Sequence, residues 1–316
     1  MIVTLTANPS IDRTVTLAEP LLRGAVHRAS GVATHPGGKG VNVSRVVAAA
    51  GVATVAVLPG NADDPLLRAL TDAGIEHRSV PTAGSARINL TVAETDGTTT
   101  KINEPGHPLT AAALEALTAL LGELAVDAEW VVLSGSLPPA VPADWYVELI
   151  ERLPGTRIAV DTSDAPLLAL ADRTFSVAPQ LIKPNTDELA QLTGTAAATL
   201  EDPLAAARAA AGLVDRGFGA VLATLGAAGA VLVTPDGAWH ATAPVIRPRS
   251  TVGAGDSALA GYLLADLSGA DPADRLRHAV AYGSAAAALP GTGLPGPHHT
   301  DPDAVSVTAL DLLPHS

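Results

Sequence analysis

The strongest constraint on this chain is an alternation. Short runs rich in β-branched residues and longer Ala/Leu-rich runs with helical spacing follow one another through most of its 316 residues. The predicted strands are Ile2–Thr6, Thr54–Leu58, Trp130–Leu133, Arg157–Val160, Leu181–Lys183 and Ala220–Thr224. The predicted helices are Gly40–Ala50, Asp64–Ala73, Thr110–Leu121, Ala143–Arg152, Thr186–Leu192, Pro203–Asp215, Gly255–Leu267 and Pro272–Ala288. A helix that carries the chain back across a sheet sets the next strand parallel to the last. This order therefore implies an α/β fold, a mostly parallel sheet with helices on both faces. Apolar residues make up 47% of the chain but aromatic residues only 3%, so the core must be built from Ala, Val and Leu.

Two segments interrupt the alternation. Residues 12–34 hold strand-like pieces and no helical pattern. Residues 87–103 read as a hairpin, with Ile88–Val92 and Thr98–Ile102 joined through Asp96-Gly97, a strong turn pair. The two segments suit a small second sheet, either a lid beside the ligand edge or an extension of the main sheet. The stretch Gly291–Pro302, rich in Gly, Pro and His, reads as a loop.

Composition excludes several function classes. A net charge of −13 argues against a nucleic-acid-binding face, and it obliges any anionic ligand to find a local basic pocket. The absence of cysteine rules out disulfides, thiolate metal sites and a Cys nucleophile. The nine histidines show no metal-ligand spacing, and His298-His299 reads as a polar loop. No uninterrupted apolar run reaches the roughly 18 residues of a membrane span. Met1–Leu5 starts directly as a strand, without a basic leader. The expectation is a cytoplasmic protein with neither nucleic-acid nor membrane partners. The chain keeps three lysines, Lys39, Lys101 and Lys183.

The chemistry is concentrated in Thr251-Val252-Gly253-Ala254-Gly255-Asp256-Ser257 and the apolar helical run behind it. A Gly-rich turn at a helix N-terminus leaves backbone N–H groups free for an anion, and the helix dipole adds to the attraction. Asp256 sets a proton acceptor beside that anion, the pairing that phosphoryl transfer to a hydroxyl needs. The spacing fails the dinucleotide fingerprint, because Ala258 stands where a third Gly is required.

Other stretches admit two readings. Pro36–Arg45 is a second Gly-rich passage into a helix, either a tight turn or a close backbone approach to a polar ligand with Asn42 beside it. It does not meet the P-loop spacing. Asp12 follows the first strand, where it suits sugar hydroxyls or an Asx turn. In Lys183-Pro184-Asn185-Thr186-Asp187-Glu188, Asn185 or Thr186 caps a helix with Glu188 completing the box, and Asn185 and Glu188 also suit a hydrated Mg²⁺. Arg87 and Asn89 share one face of a strand, either solvated or turned to a phosphate. Ser134-Gly135-Ser136 ends another strand and offers further anion contacts.

Three of these motifs, Gly37-Gly38-Lys39-Gly40-Val41-Asn42, Lys183-Pro184-Asn185-x-x-Glu188 and Thr251–Asp256, stand in the order that resembles ribokinase-like sugar kinases of the PfkB group. The resemblance runs from Asn8 to about Leu289. It implies a single ribokinase-like domain over residues 1–316, a three-layer α/β/α body with a small β-sheet lid formed by segments of about 12–34 and 87–103. It implies ATP and Mg²⁺ as cofactors, and a homodimer formed through the lid. Asp256 would be the base, with Gly253, Ala254 and Gly255 as the anion hole. Asp12, Gly38, Lys39, Asn42 and Asn89 would line the sugar pocket, and Arg87 and Ser136 would hold a phosphate already on the substrate. Lys183, Asn185, Thr224, Gly226, Gly229, Gly283 and Ser284 would lie on the nucleotide side, with Asn185 and Glu188 holding Mg²⁺ through water.

The stretches Thr6-x-Asn8-Pro9-Ser10-x-Asp12, Arg87-Ile88-Asn89, Asn103-Glu104-Pro105-Gly106 and Ser134–Pro138 are similar to the branch that acts on phosphosugars. That implies D-fructose 1-phosphate as acceptor, with tagatose 6-phosphate, fructose 6-phosphate or another sugar or nucleoside as alternatives. A non-enzymatic sugar sensor would not need the base. Thr91 stands where that branch often carries a lysine, which takes one cation from the expected phosphate site.

Overall fold

The structure is a computed structural model that describes residues 1–171 and 178–312. The strands are β1 (Ile2–Thr6), β2 (Ser10–Leu17), β3 (Ala29–Gly37), β4 (Thr54–Pro59), β5 (His77–Val80), β6 (Arg87–Ala93), β7 (Thr99–Asn103), β8 (Trp130–Ser134), β9 (Ile158–Asp161), β10 (Leu181–Ile182), β11 (Val221–Thr224), β12 (Ala230–Thr234), β13 (Gly237–Thr242) and β14 (Ser306–Leu310). The helices are α1 (Lys39–Ala49), α2 (Pro65–Asp72), α3 (Ala111–Ala125), α4 (Trp145–Arg152), α5 (Asp164–Ala171), α6 (Thr186–Thr193), α7 (Pro203–Val214), α8 (Ala254–Leu267) and α9 (Pro272–Ala288).

Among the described residues, one sheet has ten strands in the order β14-β13-β12-β11-β10-β9-β8-β1-β4-β5. The strands from β5 to β11 pair in parallel, and β12 to β14 extend the sheet antiparallel. Side chains alternate across it. Ile2, Val132, Leu181 and Leu222 pack under α1, α8 and α9, while Val3, Leu5, Val131 and Leu133 pack against α3 and α4. The largely antiparallel flank and β14 are absent from the sequence expectation. β14 is half exposed and lies beyond a loop-like stretch, so its pattern carries no clean alternation. The expected strand at Leu181–Lys183 stops at Ile182, ahead of a proline that has no N–H for a ladder.

The second sheet has the order β3-β2-β6-β7. Its β2–β6 pairing is parallel and sets Ser10 beside Arg87, Asp12 beside Asn89, and Thr14 beside Thr91. The β6–β7 hairpin turns at Asp96-Gly97, where the Asp96 side chain accepts from the Thr98 N–H and Gly97 has φ of 95°. Lys101 lies directly across from Thr91, so that row of the sheet keeps a cation on the neighbouring strand.

Candidate active site

The parallel strands all end on one edge, and the residues singled out from sequence converge there. Gly253 caps α8 in the left-handed region at φ of 75°, which turns the chain so that the first N–H groups of the helix are not used by a side-chain cap. Gly255 leaves room for Lys183, whose Nζ would lie 3.2 Å from a Cβ at that position. The turn and an ammonium thus face each other at close range.

Asp256 is buried, and Asn42 Nδ2 donates to its Oδ2 at 2.8 Å. Burial, and then the nearby Asp161 carboxylate, push Asp256 up to about 6, against the pull of Lys39 and Lys183. A base of that strength is ionised at neutral pH yet retains real proton affinity. Arg45 Nη1 donates to Pro36 O at 3.1 Å and, more weakly, to Asn42 Oδ1 at 3.4 Å, which orients the Asn42 amide toward Asp256.

Asp161 was not singled out by sequence. It is fully buried at the end of β9 and binds two lysines, Lys39 Nζ at 2.7 Å on Oδ1 and Lys183 Nζ at 3.2 Å on Oδ2. Burial alone would raise its pKa, but Lys183 and Lys39 together hold it below the usual carboxylate range. Lys39 also comes within 3.9 Å of Glu188 Oε1, so it bridges the expected sugar and nucleotide sides. Burial opposes its charge, and Asp161, Glu188 and Asp256 outweigh that and raise its pKa. The signal for Asp161 was its position, since ligands gather past the carboxyl ends of parallel strands.

Asn185 caps α6. Its Oδ1 accepts from the Glu188 N–H and Glu188 Oε2 accepts from the Asn185 N–H, each at 2.8 Å. Glu188 is raised by burial, opposed by Lys39. Asn185 pairs with Thr224 in an isolated parallel bridge, and Gly226 opens a short turn that leads to Gly229. Gly283 lies on α9 against Ala254 O and Ala258, so it lets α9 close on the first turn of α8, with Ser284 next to it. Among the described residues no cluster of three or more His, Cys, Asp or Glu could hold a metal ion. That donor set fits an ion which keeps most of its water and takes its remaining ligands from phosphates, as Mg²⁺ does.

Across the pocket, Asp12 Oδ1 accepts from Ser10 Oγ at 2.7 Å and from Asn89 Nδ2 at 3.1 Å. Gly37 passes so close to Asp12 that a Cβ there would overlap the carboxylate, and Gly38 follows at φ of 110°. Arg87 Nη1 donates to Glu104 O at 2.9 Å, while Ser136 Oγ lies 3.5 Å from Asn8 Nδ2. Arg87 Nε and Asn89 Oδ1 are buried without a hydrogen-bond partner among the described residues. Buried groups of this kind are usually satisfied, and these two are a donor and an acceptor without a protein partner.

The sequence pattern of the pfkB family of carbohydrate kinases matches residues 5–299. A 1-phosphofructokinase from Xanthomonas campestris is 39% identical over 85% of this chain and 85% of its own length. An ATP-dependent 6-phosphofructokinase isozyme 2 from Mycobacterium tuberculosis is 33% identical over 92% of this chain and 85% of its own. Phosphofructokinase-2 from Escherichia coli, crystallised with substrates and products, superposes with a TM-score of 0.86 at 30% identity, covering 94% of this chain and 96% of that one.

Proposed function

The chain belongs to the pfkB family of carbohydrate kinases, and from that premise we propose that it transfers the γ-phosphoryl group of ATP to D-fructose 1-phosphate, giving fructose 1,6-bisphosphate. The observation that carries this reading is the buried Asp256 at the start of α8, with a helix turn that no side chain caps and Lys183 on one side and the unpartnered Arg87 Nε and Asn89 Oδ1 on the other. One end suits a transferring phosphoryl group and the other a phosphorylated sugar.

In this reading ATP lies along Asn185, Thr224, Gly226 and Gly229, with Gly283 and Ser284 toward its base. Asn185 and Glu188 hold Mg²⁺ through water, and that ion supplies charge neutralisation on the phosphates when bound. Asp12, Gly38, Asn42 and Asn89 hold the sugar hydroxyls, and Arg87 and Ser136 hold its phosphate. Asp256 takes the proton of the attacking hydroxyl as the new O–P bond forms and the bond to ADP breaks. The N–H groups of Gly253, Ala254 and Gly255, with Lys183, stabilise the charge on the transferring group. Lys39 and Lys183 are kept in place by Asp161. The small sheet closes over the pocket as a lid, excludes water and so suppresses idle hydrolysis of ATP. Its outer face pairs two copies as a homodimer in the cytoplasm.

Fructose 6-phosphate is the second reading, favoured by the 6-phosphofructokinase relative. A coupled assay of ADP release over a panel of sugars and sugar phosphates separates them. We expect the highest kcat/KM with fructose 1-phosphate, and a preference for any unphosphorylated sugar overturns the phosphosugar reading. Arg87→Ala should raise KM for the phosphosugar about tenfold or more, the scale of one charged hydrogen bond.

A further inference from the structure

Three carboxylates from three elements bear on one ammonium. Lys39 Nζ lies 2.7 Å from Asp161 Oδ1 at the end of β9 and 3.9 Å from Glu188 Oε1 in the first turn of α6. It also feels the charge of Asp256 in the first turn of α8. Lys39 opens α1 directly behind Gly38, and a Cβ on Gly135 would lie 3.9 Å from that of Lys39. The first turn of α1 is pressed onto the end of β1. The Val41 N–H donates to Thr6 Oγ1 at 3.0 Å, and a Cβ on Gly40 would overlap that same Thr6 oxygen. The root of the Lys39 side chain is thus set by β1 and its tip by β9.

Asp161 gives one oxygen to each of two lysines, but the two differ in access. The Lys183 side chain is 3% exposed and that of Lys39 33%. An ammonium has three donors. Among the described residues the one hydrogen bond of the Lys39 ammonium goes to Asp161, since Glu188 at 3.9 Å is beyond hydrogen-bond reach. Lys39 therefore keeps free N–H donors on an open side, within range of both the carboxylate read as the base and the carboxylate on the nucleotide side. The surrounding carboxylates hold it protonated, so it acts as a fixed point charge and not as a proton donor.

We propose that Lys39 is a catalytic residue whose ammonium contacts the γ-phosphoryl group while it passes from ATP to the acceptor. The inference rests on the phosphoryl-transfer reading and deepens it. It moves Lys39 from the wall of the sugar pocket to the group in transit, as the second of two ammoniums aligned by Asp161. The acceptor oxygen bonds to phosphorus as the bond to the ADP oxygen breaks, and the hydroxyl proton goes to Asp256. Lys39 keeps its own proton throughout, and its charge matches the charge that spreads over the equatorial oxygens.

The test uses the full chain as wild type, Lys39→Met and Lys39→Arg, with fructose 1-phosphate, ATP and Mg²⁺. Lys39 also pulls Asp256 down, so its loss moves the acid limb to higher pH, and kcat is read on the plateau of each pH profile. Lys39→Met should cut plateau kcat about 100-fold or more and change KM for the sugar phosphate by less than about threefold. Lys39→Arg keeps the cation and should recover part of the loss. ADP with aluminium fluoride and Mg²⁺, a mimic of the group in transit, should bind Lys39→Met at least about tenfold more weakly, while ADP alone binds as in wild type. A purely structural lysine would move both affinities together, and that result overturns the inference. So does a plateau kcat within about threefold of wild type, or a raised KM for the sugar at constant kcat, which would return Lys39 to the sugar wall. If Lys39→Met does not fold, Lys39→Gln, which can still donate to Asp161, is judged by the same criteria. A wild type that releases no ADP with any sugar or sugar phosphate fails the functional reading and this inference with it. An active wild type matched by Lys39→Met removes Lys39 alone.

Discussion

Asp256 stands where an ionised carboxylate is costly. Its pKa rises from the ordinary 3.8 to about 6 in the folded chain, first through burial and then through Asp161. The group therefore adds stability at low pH, fully below about 3.8, and that contribution is lost as pH rises through about 6. At pH 7–8 the ionised form opposes folding. Asp256→Asn should raise the melting temperature there while cutting turnover by roughly 100-fold or more. A variant with near wild-type turnover would remove Asp256 from the chemistry. The same pKa sets an acid limb, with kcat/KM falling about tenfold per unit below pH ~6. Asp161→Asn removes one of the charges that hold Asp256 up and releases two ammonium groups from their partner. The limb should then move to lower pH and kcat should drop, which a pH–rate profile of the variant reads directly.

These two aspartates also mark what sequence discloses. Asp256, Asn185 and Gly38 stand in Gly- or Pro-marked turns ahead of helical patterns, where local chemistry exposes them. Asp161 closes an ordinary apolar strand, and its partner Lys39 is 122 positions away. The Asn42–Asp256 bond spans 214 positions. No spacing rule reaches across such separations, because the contact exists only once the sheet has brought two strand ends together. The unpartnered atoms of Arg87 and Asn89 were equally invisible, since satisfaction is a property of packing and not of residue type.

At the scale of elements, the end of the sheet away from the site is stapled by one buried carboxylate. Asp266 on α8 accepts from Trp130 Nε1 at 2.8 Å and pairs with Arg157 at 2.7 Å and Arg275 at 3.0 Å. The Arg157 guanidinium lies 4.1 Å from the centre of the Trp130 ring. This ties α8, the first turn of α9 and the start of β8 into one unit, so the Gly-rich turn at the other end of α8 is carried by a helix fixed at its foot. Asp266→Ala should lower stability by about 2–3 kcal/mol, less than a fully buried pair because both guanidinium groups keep some solvent. Denaturant unfolding measures this, and kcat at a permissive temperature should stay close to wild type. The hairpin of the small sheet was legible because Asp96-Gly97 permits one turn geometry. The antiparallel flank was not, because its short strands lack the helices that betray the parallel ones.

At the scale of the molecule, apolar side chains left uncovered gather on the small sheet. Val32 is 53% exposed, Ile102 58% and Ile88 37%, with Leu22 at 63% on the adjoining loop. Their strands turn Asp12, Asn89 and Arg87 to the opposite face, as period-2 alternation requires. A patch of this kind on an otherwise acidic chain is what a second copy would cover. Ile102→Lys should convert a dimer into a monomer in light scattering after size exclusion. A chain already monomeric as wild type at micromolar concentration would overturn the homodimer.

The joint between β3 and α1 has a further consequence. β3 ends at Gly37 and α1 begins at Lys39, so a single residue separates the small sheet from the helix that carries Lys39 and Asn42. There is no slack in which a tilt of the sheet can dissipate. The sheet is a lever arm, Gly38 its fulcrum, and the first turn of α1 the short end, gripping Asp161 through Lys39 and Asp256 through Asn42. In the proposed reading, a sugar docked under the long arm would be felt at Asp256 as torque.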